Sequence, residues 1–351
     1  MKTDHWFPLA VCFAVVLAAA LLACGAANKS ASGRGADDDV SPADDDASPT
    51  DDDDDAAPPA DPGQPGPYLF GYVDVTFHDP SSNKDQPLRA YYPTSGVGAG
   101  IDNTHGPRPL IVFGPGFALP MGLYFGYAEH LASYGYIVVL RDNYVISHLA
   151  LAQTTSAIID WVAGQADQPG SLFYSKVDLT RIGTSGHSMG GKISLLTAYY
   201  DKRVTASGTI DPVDTSPIHS PAYPSVTPEL MPDIHIPTLL MGSSDGGLCA
   251  PQSDNYHQFF LYANAPSIEI TIEKSGHLTF CDLPDALIDA ASIVCPTGGG
   301  NFEQIRMLAN RYLAAFYKVV FDGEAAYGYY LVGGGMQKDV ADGLVETEKK
   351  L

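Results

Sequence analysis

Gly186-His187-Ser188-Met189-Gly190 places one hydroxyl between two glycines. This G-x-S-x-G pentapeptide follows Leu179–Gly183, which reads as a strand, and precedes Lys192–Tyr200, which reads as a helix. A turn tight enough to join the two leaves no room for side chains at its flanks, which accounts for Gly186 and Gly190, and Gly191 lets the helix pack closely on the sheet. Such a turn lifts the Ser188 hydroxyl above the strand ends. The Met189 N–H, at a helix N-terminus, then points to where negative charge would develop on an attacked carbonyl oxygen. The chemistry predicted is acyl transfer through a serine nucleophile. A second match, Gly242-Ser243-Ser244-Asp245-Gly246, serves as an internal control. It too follows a strand, but Gly247 and Pro251 come next and no helix starts at once, so it lacks the setting of an elbow.

A serine hydroxyl is a weak nucleophile at neutral pH and needs a base that is itself held by an acid. Where the nucleophile sits on a strand–turn–helix elbow, acid and then base follow it in the chain. His277, in Ser275-Gly276-His277-Leu278, follows the last strand expected in the parallel series and is the candidate base. His257 lies in the apolar stretch Tyr256–Tyr262 and reads as a helix-surface or packing residue. His219 and His235 lie in proline-rich connections and read as structural. Two carboxylates close strands between nucleophile and base: Asp211, in Ile210-Asp211-Pro212-Val213-Asp214, and Asp245 one strand later. Both are candidates for the acid. Asp214 reads as a solvated or capping residue. The second oxyanion donor is expected from the loop after the third strand, Gly114-Pro115-Gly116-Phe117, through the Phe117 N–H, with the Phe117 ring lining the acyl pocket.

These positions require a framework. Strand-like runs occur at Tyr68–Phe77, Pro87–Tyr92, Pro109–Phe113, Tyr136–Leu140, Val204–Ile210, Ile236–Met241 and Ile268–Ile272. Tyr127–Tyr134 and Ala150–Val162 read as helices. Phe302–Phe321 is amphipathic, with Ile305, Leu308, Tyr312, Ala315 and Phe316 at helical spacing. Alternating strands and helices predict an α/β domain, residues 68–322, with a mostly parallel central sheet and helices on both faces. The 29 residues from 323 to 351 carry no clear assignment.

The chain has 351 residues and a net charge of −22, which excludes a surface built to neutralise nucleic-acid phosphates. Residues 1–67 hold 13 acids and 3 bases, leaving 28 acids and 16 bases in the remainder, an ordinary acidic domain on a very acidic leash. Leu9–Leu22 is a 14-residue apolar run, short for a membrane span and suited to a signal-peptide core. It ends in Leu21-Leu22-Ala23-Cys24-Gly25, which resembles a bacterial lipobox, so residues 1–23 read as a lipoprotein signal and Cys24 as the acylated residue. The protein is expected to be exported and held at a membrane by this lipid anchor alone, facing the periplasm or cell exterior. The Asp blocks and prolines of residues 24–67 predict an extended, disordered linker. Their spacing does not fit a calcium loop. Of the three cysteines in the folded part, Cys249, Cys281 and Cys295, one bridge and one thiol are expected. Cys249–Cys281, Cys281–Cys295 and a free Cys281 all remain open.

Over nearly all of 68–322 the chain resembles the α/β-hydrolase superfamily. Within it the chain is similar to chlorophyllase-like and polyester-hydrolase (cutinase-like) enzymes, and to platelet-activating-factor acetylhydrolases. The segments that carry the likeness are Gly116-Phe117, Gly186–Gly191, Asp211–Asp214, Cys249-Ala250-Pro251 with Asn255 and Phe259-Phe260, and Gly276-His277-Leu278. The chlorophyllase and acetylhydrolase likeness implies Asp211 as the acid, and the polyester-hydrolase likeness implies Asp245. The DPVD match favours Asp211. Met189 stands where chlorophyllases carry Arg, and Pro212-Val213 stand where polyester hydrolases carry Trp. The resemblance therefore implies carboxylic-ester hydrolysis on a small-molecule ester, with neither chlorophyll nor polyester singled out. It implies no metal or organic cofactor, and the sequence has no HExxH or Cys–His zinc pattern. A degenerate, surface-binding hydrolase fold and a long-chain lipase are the alternatives.

Overall fold

The computed structural model describes residues 58–144, 147–215 and 220–351. In chain order the strands and α-helices are β1 (Leu69–Asp79), β2 (Lys84–Thr94), β3 (Arg108–Gly114), α1 (Phe125–Ser133), β4 (Ile137–Arg141), α2 (His148–Asp167), β5 (Val177–His187), α3 (Met189–Tyr200), β6 (Val204–Ile210), β7 (Thr238–Asp245), α4 (Tyr256–Tyr262), β8 (Ser267–Gly276), α5 (Asp285–Ala291), α6 (Phe302–Val320), α7 (Gly334–Ala341) and β9 (Val345–Lys350). The strands form one sheet in the order β1-β2-β4-β3-β5-β6-β7-β8-β9. Strands β3 to β8 run parallel, with β1, β2 and β9 antiparallel at the two edges.

The side-chain period of a strand explains the two cores. In β3, Ile111 and Phe113 face one side while Leu110 and Val112 face the other, and in β4 Val138 and Leu140 alternate with Ile137 and Val139 in the same way. Helices α1 and α6 cover the first face and α2, α3 and α4 the second. A strand buried on both faces tends to a continuous apolar run: all seven residues of β3 are buried, and Leu110–Phe113 is apolar at every position. The expected positions on α6 (Ile305, Leu308, Tyr312, Ala315 and Phe316) are all buried. This doubly covered, mostly parallel sheet is the α/β-hydrolase fold.

Two boundaries differ from the sequence reading. The C-terminal segment is part of the sheet: β9 pairs with β8 from Ser267↔Lys350 to Ile272↔Val345. Lys350 Nζ donates to the carbonyls of Phe260, Leu261 and Ala263 at 2.6, 3.0 and 3.0 Å, capping the end of α4. At the other end, residues 58–67, expected as the last part of a disordered linker, are part of the fold. Residues 58–67 lie against the domain because polar groups meet them there. Arg311 on α6 grips Asp61 with two bonds of 2.8 and 2.6 Å and reaches Asp339 on α7 at 2.6 Å. His130 Nε2 donates to the Pro62 carbonyl at 2.8 Å, and Tyr330 Oη donates to that of Pro59 at 2.8 Å. The linker expected over residues 24–57, and the Leu9–Leu22 and Cys24 readings, fall outside the described residues. Among the described residues no helix is long and apolar enough to cross a membrane.

Candidate active site

The strand β5 continues past its apolar part through Thr184, Ser185 and Gly186 to His187, and α3 begins at Met189. Ser188 is the single residue between them. It has φ 56° and ψ −123°, a conformation an L-residue adopts only when its surroundings impose it. The glycines on either side make this possible. A Cβ on Gly186 would lie 2.5 Å from the Gly190 carbonyl carbon and 2.6 Å from the Gly114 oxygen, and one on Gly190 would collide with the Gly114 carbonyl. The end of β3 is thereby pressed against the first turn of α3.

His277 opens a single 3-10 turn, His277–Phe280, directly after β8. The Ser188 hydroxyl lies 2.8 Å from His277 Nε2, and His277 Nδ1 lies 2.8 Å from Asp211 Oδ2. Ser188, His277 and Asp211 are 8, 4 and 0% exposed, so the two bonds run in a largely dry setting. Asp211 follows β6 with φ 43°, a second strained backbone at the same site. Its carboxylate is also held by the Ser243 hydroxyl, which donates to the same Oδ2 at 2.7 Å, and by the Ser243 N–H, which donates to Oδ1 at 3.3 Å. The acceptor-only carboxylate holds the proton on Nδ1, which leaves the Nε2 lone pair facing the serine O–H.

The other candidates separate clearly. Asp245 is exposed at the end of β7 and makes no bond to His277. Asp214 is buried rather than solvated. It pairs with Lys192 of α3 at 2.9 Å and accepts from the N–H groups of Val226 and Thr227. Lys192 projects from the buried side of α3, and burial pulls its pKa down against the attraction of Asp214. His257 lies on α4 and bonds Glu269 of β8 at 3.0 Å. His235 is exposed before β7, and His219 lies outside the described residues.

The loop after β3 is fastened beside the elbow. Gly116 N–H donates to Tyr124 Oη at 3.1 Å, while Asn143 Nδ2 donates to the carbonyls of Gly116 and Pro115 at 2.9 and 3.3 Å. Phe117 follows at the exposed tip, 40% accessible. Met189 N–H is the first amide of α3, a position with no acceptor inside its own helix. Cys249 and Cys295 form the disulfide, with Cα atoms 5.4 Å apart. It joins the loop after β7 to the segment before α6. Cys281 is the thiol, buried, with burial pushing its pKa up to about 12.

Sequence reasoning passed over two residues at this site. Ser243 belongs to the discarded second G-x-S-x-G, and only the closeness of β6 and β7 reveals it as the Asp211 support. His187, the variable second residue of the elbow motif, is fully buried and reaches the His277 carbonyl.

The family model for chlorophyllases matches residues 77–334, well over half of the chain, from inside β1 to the start of α7. Chlorophyllase-2 of Arabidopsis thaliana is 24% identical over 242 residues, covering 62% of this chain and 75% of that protein. A chlorophyllase-1 of Citrus unshiu is 24% identical over 246 residues, covering 62% and 74%. The bis(hydroxyethyl) terephthalate hydrolase of Streptomyces coelicolor is 29% identical over 187 residues, covering 50% and 49%. With its matched region spanning the elbow, the Asp211 strand and the His277 turn, this chain belongs to the chlorophyllase family.

Proposed function

We propose that the protein is a serine carboxylic-ester hydrolase acting through an acyl-enzyme on small to medium acyl or aryl esters. The observation that carries this reading is the continuous relay from Ser188 Oγ through the His277 ring to Asp211, with both bonds at 2.8 Å. Buried polar groups so aligned cost desolvation that a merely structural turn would avoid. Relatives named for hydrolysing a terephthalate diester and for acting as chlorophyllases support the same reaction class.

In this mechanism Ser188 Oγ bonds the ester carbonyl carbon as its proton passes to His277 Nε2. Asp211 holds the imidazole tautomer and stabilises the imidazolium. The N–H groups of Met189 and Phe117 receive the oxyanion. The C–O bond to the alcohol breaks as His277 returns the proton to the leaving oxygen. Water, deprotonated by His277, then attacks the acyl-enzyme and frees the acid and Ser188. No step consumes a cofactor.

The test is a panel of p-nitrophenyl esters from acetate to palmitate. Turnover is expected to be greatest on acetate to hexanoate and to fall on longer chains. A sharp rise toward long chains would replace this reading with a lipase, and no turnover of any ester would leave a binding role. We further propose export and acylation at Cys24, from the apolar run and lipobox-like segment preceding it. Labelled palmitate should enter the wild-type chain in a bacterial host and not a Cys24→Ser chain; equal labelling of both would contradict the anchor.

A further inference from the structure

The base of the relay sits on a short turn rather than on a strand or a long helix. His277 lies on a one-turn segment after β8, so the direction of its ring depends on how its own backbone is held. That backbone is gripped from the end of β5, three strand positions away in the sheet: His187 Nε2 lies 2.9 Å from the His277 carbonyl oxygen. The two rings pack at a centroid separation of 4.5 Å, tilted by 36°. On its other side His187 Nδ1 lies 2.9 Å from Tyr124 Oη. Tyr124 Oη in turn accepts the Gly116 N–H at 3.1 Å and the Cys281 thiol at 3.5 Å.

We propose that His187 and Tyr124 are a positioning pair that locks the base turn to the oxyanion loop, setting the distance between them for catalysis. The inference rests on the hydrolase reading above.

The chemistry of the chain of bonds permits one arrangement. A carbonyl oxygen only accepts, so His187 Nε2 carries the proton and Nδ1 does not. Tyr124 therefore donates its O–H to Nδ1, and its lone pairs receive Gly116 N–H and Cys281 S–H. Cys281 Sγ also lies 3.8 Å from Nδ1, but the Tyr124 hydroxyl at 2.9 Å is the nearer donor to that nitrogen. His187 is 0% exposed, faces no carboxylate, and is enclosed by His277, Tyr124, Phe280 and Cys281. Burial, with His277 adjacent, pulls its pKa well below the ordinary histidine value, so the ring stays neutral while the base beside it gains and loses a proton. An aliphatic side chain would fill this space without desolvating two nitrogens. What it would not supply is the bond to the His277 backbone. His187 directly precedes Ser188, so nucleophile and base share one rigid mount.

The test uses the full chain and p-nitrophenyl butyrate. His187→Met keeps volume and removes both bonds, while His187→Gln keeps a donor at the reach of Nε2. Tyr124→Phe removes the hydroxyl and leaves the ring. His187→Met is expected to lower kcat about 30-fold or more with KM within about threefold, because loss of alignment of reacting groups falls on the chemical step. His187→Gln should recover kcat to within about fivefold of wild type, and Tyr124→Phe should lose about five- to tenfold. In ¹⁵N-histidine spectra, wild-type His187 should show the Nε2–H tautomer unchanged from pH 5 to 9, a reading that stands even if His187→Met fails to fold. The proposal is overturned if His187→Met and Tyr124→Phe keep wild-type kcat. It is equally overturned if Met and Gln lose activity alike in step with melting temperature, or if the His187 ring titrates or carries its proton on Nδ1. Wild-type turnover that Ser188→Ala abolishes keeps the hydrolase reading intact whichever way these variants behave. Turnover indifferent to Ser188→Ala removes both.

Discussion

Ser188→Ala is expected to lower kcat/KM on p-nitrophenyl butyrate by about 10⁴-fold or more, with unfolding midpoint unchanged or raised. The size follows from what the side chain does in the proposed mechanism. Without Oγ there is no covalent intermediate, and His277 loses the group whose proton it takes. Any remaining rate would come from donors that stabilise an oxyanion during direct attack by water. Stability is expected to be spared because Ser188 occupies a strained backbone, φ 56°, in which its side chain makes no capping bond to α3. Kinetics of the purified variant beside its thermal melt check both halves. A loss below about tenfold would mean that another group attacks the ester.

The second large effect separates two carboxylates that the sequence leaves in competition. Asp211→Asn is expected to cost about 10³- to 10⁴-fold in kcat, because an amide can donate to Nδ1 and hold the imidazole in the wrong tautomer. Asp245→Asn, at an exposed strand end with no bond to His277, should stay within about twofold. Both variants measured in one kinetic series give the answer. Near-equal losses, or a larger loss at Asp245, would reverse the assignment. The Ser243 bonds matter here: the carboxylate is held by a hydroxyl at 2.7 Å as well as by the imidazole, so its direction is fixed before substrate arrives.

Much of this architecture is legible because its physics is local. Val204–Ile210 and the start of α6 at Phe302 are read to the residue, since a short run of small and β-branched residues ending in Ile and a helical stripe of large side chains are each local signals. The elbow is legible because a sharp turn at a reactive serine needs glycine at fixed offsets. Other features depend on partners that no local pattern names. Thr184-Ser185-Gly186 does not look like a strand, yet β5 runs through it because Ser194, Ser207 and Tyr317 satisfy the hydroxyls. The sequence of β9, VETEKK, has no apolar alternation, as suits an edge strand paired on one side and guarded by charge. Proline-rich residues near Asp61 resemble linker, and only groups distant in sequence, the Arg311 guanidinium 250 positions away with His130 and Tyr330, make them part of the fold. Asp214 reads as a solvated or capping residue until Lys192 is seen beside it. In the site itself, residue types named the nucleophile and base as candidates and the DPVD likeness favoured Asp211 over Asp245, whereas the contacts of His187 and Ser243 needed distances across strands.

In the proposed mechanism Ser188 Oγ is the atom that bonds substrate. Incubating the protein with a p-nitrophenyl alkylphosphonate and mapping the product by peptide mass spectrometry measures this in one step. The expected result is stoichiometric p-nitrophenol release with a single phosphonyl adduct on Ser188, abolished in Ser188→Ala and strongly slowed in His277→Ala. Modification of another residue, or a folded protein that hydrolyses esters yet takes up no phosphonate at Ser188, would contradict it.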